Sequence, residues 1–211
     1  MIMLKCEACG GNDLKRLGNM YECSYCGSKY MLDERDELVG KELTEAKIIA
    51  LLEKSKQLHE ADNFSEELEV LIKAFEMDGN NAQITVKLGR CYRCIGLPDK
   101  AIECYKRTLE LNPNEGTAYT NMGTIYLLRE DYGEAAKNYE KGLPLIDKAT
   151  FDYWIANANY AVAVAKLGDP KRAENMIRES EAHGYQNGEA ARKLAGIKTN
   201  SLFSGLRKLF S

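Results

Sequence analysis

From residue 86 to residue 148 the apolar positions repeat. Set "VKLGRCYRCIGLPDKAIECYKRTLELNPN" above "TNMGTIYLLREDYGEAAKNYEKGLPLIDK", and Leu88-Gly89 falls on Met122-Gly123, Tyr92 on Tyr126, Ala101 on Ala135 and Tyr105 on Tyr139. Each offset is 34 residues. One step back, "DNFSEELEVLIKAFEMDGNN" puts Phe64, Leu71 and Ala74 in matching places. One step forward, "NYAVAVAKLGDPKRAENMIRESEAHGY" fits once four residues are inserted near 150–153, which places Tyr160-Ala161, Gly168 and Ala173. A fixed period of this size predicts a stacked array, because no single unit can bury its apolar face alone.

The flanks have other patterns. "LKRLG" and "MYECSYCGSKYML" hold short β-like stretches around four cysteines. Residues 33–47, "DERDELVGKELTEAK", set six acids against three bases. They predict a short solvated helix or a flexible connection, with Gly40 as a break and Thr44 as a cap for the next helix. "GEAARKLAGI" reads as a helix covering the exposed end of the array, over residues 188–198. In "LFSGLRKLFS", Leu202, Phe203, Leu206, Leu209 and Phe210 recur at helical spacing, with Arg207 and Lys208 opposite. Residues 199–211 therefore predict a small basic amphipathic helix, able to dock in a groove, meet a partner or touch an anionic membrane weakly.

Composition bounds the function. The 211 residues are 45% hydrophobic and 29% charged, with a net charge of −3, so they build a folded chain with no overall basic character for nucleic acid. The start lacks a long apolar stretch and no run is long enough to span a bilayer, so the expected location is cytoplasmic. Seven cysteines there are expected as thiols or metal ligands, not disulfides.

Four of them form the sharpest motif. "CEACGG" and "CSYCGS" each hold two cysteines separated by two residues, with Gly10 or Gly27 directly after, and thirteen residues lie between the pairs. A glycine there lets the backbone take a positive φ and turn its amides toward thiolates. Four thiolates make a closed tetrahedral shell that suits zinc and leaves no position for water or substrate. Residues 1–32 resemble a zinc ribbon. The resemblance implies Cys6, Cys9, Cys23 and Cys26 as ligands of a structural Zn2+; iron in a rubredoxin-like site is the rival, though rubredoxins usually space their pairs further apart. Zinc ribbons bind nucleic acid in some proteins and proteins in others. Lys5, Lys15, Arg16 and Lys29 against Glu7, Asp13 and Glu22 give too weak a balance for a phosphate backbone.

The array, with its 34-residue period of Leu-Gly, Tyr, Ala and a second aromatic, resembles the tetratricopeptide repeat (TPR). The resemblance covers residues 48–187 as four repeats: 48–81, 82–115, 116–149 and 154–187. It implies a mainly α fold, a superhelix of helix-turn-helix pairs beside the small β module. The first repeat departs at Ser55, where the family has glycine, and at Glu67, where it has alanine. Pro144 falls early, so the second helix of repeat three is expected to kink or end there. Cys91 and Cys94 share the spacing of the early pairs but sit inside a repeat helix with no glycine pair following; with Cys104 they read as small apolar fillers.

In this family the first helix of each repeat lines a groove that holds peptides or partner helices. Carried over residue by residue, the groove positions include Lys56 and His59, then Arg90 and Arg93, then Thr124, Leu127 and Leu128, then Ala158 and Val162. The expected surface is basic at one end and apolar at the other, suited to a peptide with an acidic and an apolar portion. Leu52 and Lys56 do not match the lysine and asparagine of the family's chaperone-tail clamp. No phosphate loop, dinucleotide fingerprint or nucleophile elbow is present, and His59 and His183 lie far apart. The sequence thus reads as a non-enzymatic interaction scaffold. The alternatives are an adaptor that meets nucleic acid or a polymerase through the ribbon, and a chaperone sensitive to zinc or thiol redox.

Overall fold

The computed structural model describes residues 8–10, 14–17, 20–31 and 34–197. The chain divides into two units, residues 1–51 and 52–211. Cys6 and the tail residues Leu202, Phe203, Leu206, Leu209 and Phe210 lie outside the described residues.

The first unit holds a three-stranded antiparallel sheet, β1 (Leu14–Leu17), β2 (Met20–Cys23) and β3 (Lys29–Met31), in that order. Leu14 pairs with Cys23 and Leu17 with Met20; Met20 pairs with Met31 and Glu22 with Lys29. Between β2 and β3 the chain turns through Cys26, and Gly27 donates to the Cys23 carbonyl at 2.8 Å. Gly27 has φ +71° and Gly10 φ +72°, the left-handed backbone expected after each cysteine pair.

Helix α1 runs from Glu34 to Glu60 without interruption. Gly40 is not a break and Thr44 is not a cap. One glycine costs a helix about 1 kcal/mol, and the Glu, Leu, Lys and Ala residues on both sides outweigh it. No helix among the described residues is long and apolar enough to cross a membrane.

In the second unit helices alternate along the chain: α2 (Phe64–Met77), α3 (Ala82–Cys94), α4 (Pro98–Leu111), α5 (Gly116–Leu128), α6 (Tyr132–Gly142), α7 (Phe151–Lys166), α8 (Pro170–Ala182) and α9 (Gly188–Ala195). Side chains of Asn63, Asp131 and Asp169 accept from the third backbone N–H beyond them, and Asn81 also caps its helix, so four helix starts are satisfied locally. Pairs α3/α4, α5/α6 and α7/α8 pack tightly, and α2/α3, α4/α5 and α6/α7 join one pair to the next. Helix α9 packs on α7 and α8.

The two helices of a pair meet where one side chain is missing. The Tyr105 ring lies on Gly89 and the Tyr139 ring on Gly123, and both tyrosines are fully buried. Ala101, Ala135 and Ala173 are equally buried on the facing helices. Helix α6 ends at Gly142 and a 3-10 turn, Leu143–Leu145, carries Pro144. The extra residues of the fourth repeat lengthen a helix: α7 has 16 residues and α5 has 13. The fourth pair therefore starts at Phe151, ahead of the expected residue 154.

Candidate functional site

A groove of about 540 Å³ runs across the first helices of all four pairs. Helix α1 contributes His59; α3 contributes Gln83, Val86, Lys87, Arg90 and Arg93; α5 contributes Thr117, Thr120, Asn121 and Thr124; α7 contributes Asp152, Ile155, Ala156 and Asn159. On each helix these positions recur three or four residues apart, which keeps them on one face.

Of the residues expected in the groove, His59, Arg90, Arg93 and Thr124 line it. Lys56 is exposed outside the lining, and Leu128 is 74% exposed outside it. Leu127 instead packs half-buried against the core of the last two repeats. Ala158 is fully buried, and Val162 is buried in that same core together with Ala191 and Ala195 of α9. The apolar half expected from these residues shrinks to Ile155 and Ala156 of α7, because Ala158 and Val162 are taken into the core. Beside them stand hydroxyls, carboxamides and one carboxylate.

The basic end rests on a buried carboxylate. Glu67 on α2 is fully buried. Ser55 Oγ donates to its Oε1 at 3.1 Å, and His59 Nδ1 lies 2.8 Å from its Oε2. Arg90 Nη2 sits 3.8 Å from Oε1. Ser55 and Glu67 are the two departures from the small-residue pattern, and they meet each other. That was the sequence signal for the His59–Glu67 pair, which spacing alone did not reveal. Burial, then the adjacent Arg90, holds the Lys87 ammonium below the ordinary lysine pKa. On α5 Thr124 takes the place that Arg90 has on α3, and its Oγ1 lies 3.0 Å from the Tyr139 hydroxyl. The equivalent Tyr105 hydroxyl is buried beside Arg93, and burial raises its pKa although Arg93 opposes the rise.

The thiols fall into two kinds. Cys9, Cys23 and Cys26 bring their sulfurs within 4.8 Å of one another. Cys9 Sγ and Cys23 Sγ are 3.6 Å apart, and Cys26 Sγ lies 3.1 Å from Ser28 Oγ. In contrast, burial pushes the Cys91 thiol up to about 12 and Cys104 up to about 11, so both stay protonated near neutrality. Cys91 donates to the Phe64 carbonyl at 3.2 Å as a packed filler.

Comparison with known proteins bears on the array. Tetratricopeptide-repeat profiles match residues 86–115 and 104–137. Residues 86–137 carry tetratricopeptide repeats. It is 28% identical over 111 residues to the probable UDP-N-acetylglucosamine–peptide N-acetylglucosaminyltransferase SPINDLY of Hordeum vulgare, a match covering 53% of this chain and 11% of that protein. It is 30% identical over 89 residues to the human protein O-mannosyl-transferase TMTC1, covering 40% of this chain and 10% of that one. The chain thus spans about a tenth of these curated relatives, through their TPR regions. The first TPR of Spaghetti (RPAP3), solved bound to the HSP90 peptide SRMEEVD, superposes with a TM-score of 0.51 at 20% identity, over 58% of this chain and 94% of that one. The shared fold is the helical TPR superhelix, and TPR domains are typical of protein–protein interaction.

Proposed function

We propose that this protein is an interaction scaffold whose TPR groove holds an extended peptide. The observation that carries the reading is the continuous groove of about 540 Å³ formed by successive first helices, a size within the range of ordinary ligand sites. Asn121 and Asn159 line it from neighbouring repeats, and each carboxamide both donates and accepts, as a peptide backbone requires. Lys87, Arg90 and Arg93 at one end favour an acidic stretch, and Asp152 on α7 favours a basic residue. The similar Spaghetti fold holds a peptide.

Selection of displayed random peptides on the full chain tests this. Enriched peptides are expected to carry an acidic stretch and to lose about tenfold in affinity on Asn121→Ala with Asn159→Ala. Equal enrichment on the wild type and that double variant defeats the reading.

The cysteine cluster fits a structural zinc. Thiolates at tetrahedral corners with bonds of about 2.3 Å stand about 3.8 Å apart, close to the 3.6 Å between Cys9 and Cys23. Cys9, Cys23 and Cys26 would hold the ion, with Cys6 as fourth ligand by its spacing. A closed thiolate shell staples a small sheet that has little apolar core of its own.

A further inference from the structure

The three cations of the groove are poorly compensated. Lys87, Arg90 and Arg93 follow one another at three-residue steps on α3 and line the same cavity. Among the described residues, only Glu67 pairs with any of them, reaching Arg90 at 3.8 Å. Among the described residues, Lys87 and Arg93 make no ion pair with a carboxylate, Asp152 included. Through space, Arg90 and Lys56 act on Lys87 with one sign and Glu67 and Glu53 with the other. Among the described residues, the Nε atoms of Arg90 and Arg93 are buried without a hydrogen-bond partner. Buried donors of this kind are costly unless something meets them.

We propose that Lys87, Arg90 and Arg93 form a subsite for a dianionic group, the phosphoryl group of a phosphorylated serine or threonine in the groove-bound peptide. This rests on the peptide reading above. Charge matching selects the dianion. Two cations stand without a counter-ion, a single carboxylate brings one negative charge, and a phosphoryl group brings nearly two near pH 7. Donor geometry points the same way. Two guanidinium groups and an ammonium offer forked and point donors to three oxygens around one centre. A nucleic-acid backbone fits less well. Its bases need aromatic platforms, whereas His59 is the one ring in the lining and Asp152 opposes a second phosphate. The buried Glu67 stabilises the cluster while no ligand is bound and leaves two charges for the ligand.

The test uses the full chain and three labelled peptides identical except for one central serine, phosphoserine or glutamate. The phosphoserine peptide is expected to bind about tenfold tighter than the serine form and several-fold tighter than the glutamate form. Lys87→Met and Arg93→Met are each expected to cut that preference about tenfold, and Lys87→Arg to retain most of it. Helical circular dichroism reports that the variants fold. Equal affinity for serine and phosphoserine, or unchanged preference in both methionine variants, overturns the proposal. So does a short oligonucleotide that binds at the same site more tightly than the phosphoserine peptide. Inorganic phosphate alone separates this inference from the peptide reading. Saturable phosphate binding that Arg93→Met abolishes, with no peptide bound, sustains the subsite and defeats the peptide groove; peptide binding indifferent to phosphate does the reverse.

Discussion

Ser55 donates a 3.1 Å hydrogen bond to Glu67 at the two places where later repeats put glycine or alanine. The first helix pair thus replaces a contact of small side chains with a buried polar one. Glu67 then holds His59 and faces Arg90. Removing the carboxylate alone leaves Ser55, His59 and Arg90 without their acceptor.

Glu67→Ala is therefore expected to destabilise the fold by about 3 kcal/mol, the usual scale for breaking a buried charged contact. Ser55→Ala with Glu67→Ala should cost clearly less than the two single changes added, because the double variant leaves no unmet hydroxyl at that point. Denaturant melts of the four proteins decide it. Additive losses would mean the Ser55–Glu67 bond contributes nothing of its own.

The glycines under the tyrosines differ in how much room they have. A Cβ at Gly89 would come within 2.5 Å of the Tyr105 ring, while at Gly123 the nearest ring atom of Tyr139 is 3.1 Å away. Alanine gains about 1 kcal/mol over glycine in a helix. Gly123→Ala is expected to come out near neutral, as that gain offsets a small shift of the ring. Gly89→Ala is expected to lose about 2 kcal/mol net, because the deeper clash demands a larger shift of an equally buried ring. Thermal unfolding of both variants checks the order; a Gly89→Ala protein as stable as Gly123→Ala would show that the first pair can spread.

The period of the array was legible because packing imposes it: Gly89 and Gly123, Ala101 and Ala135, Tyr105 and Tyr139 each fill the same space one repeat apart. The end of α6 was legible from Pro144, which cannot continue a helix. Helix α1 was not, since Gly40 and Thr44 signal breaks locally while the helical preference of the whole segment decides. The groove was legible on α3, at Arg90 and Arg93, because that face lines the groove. On α7 the same transfer failed at Ala158 and Val162. Which face of a helix becomes core there depends on the chain that caps it, and α9 lies some thirty residues further on.

The cap itself is held by charge. Arg192 on α9 donates to Glu174 at 2.8 Å and to Glu181 at 2.7 Å. Burial would raise the Glu174 pKa, but the bonds from Arg192 and Arg178 prevail and hold it below the ordinary glutamate value. A carboxyl depressed on folding stabilises the fold above its unfolded pKa and loses that contribution as pH falls through the folded value. The difference in melting temperature between wild type and Arg192→Met should thus be constant from neutral pH down to about pH 5 and shrink below it. A difference that holds unchanged to pH 3 would show that α9 is kept in place by its apolar contacts alone.

Metal removal separates the two units of the chain. Cys9, Cys23 and Cys26 belong to residues 1–51, whereas the repeat cores of Tyr105, Tyr139 and Ile177 lie wholly in residues 52–211. One zinc per chain is expected by elemental analysis, and Cys23→Ser should remove it, since Cys23 is the buried thiol of the cluster. Chelation should abolish the chemical-shift dispersion of the β1–β3 amides, because a sheet of three short strands is not stable without a staple. The helical circular-dichroism signal should fall only slightly, as α2 to α9 keep their own packing. Loss of most helical signal on chelation would contradict that independence, and a chain that binds no zinc while its sheet stays dispersed would remove the metal from the account of this unit.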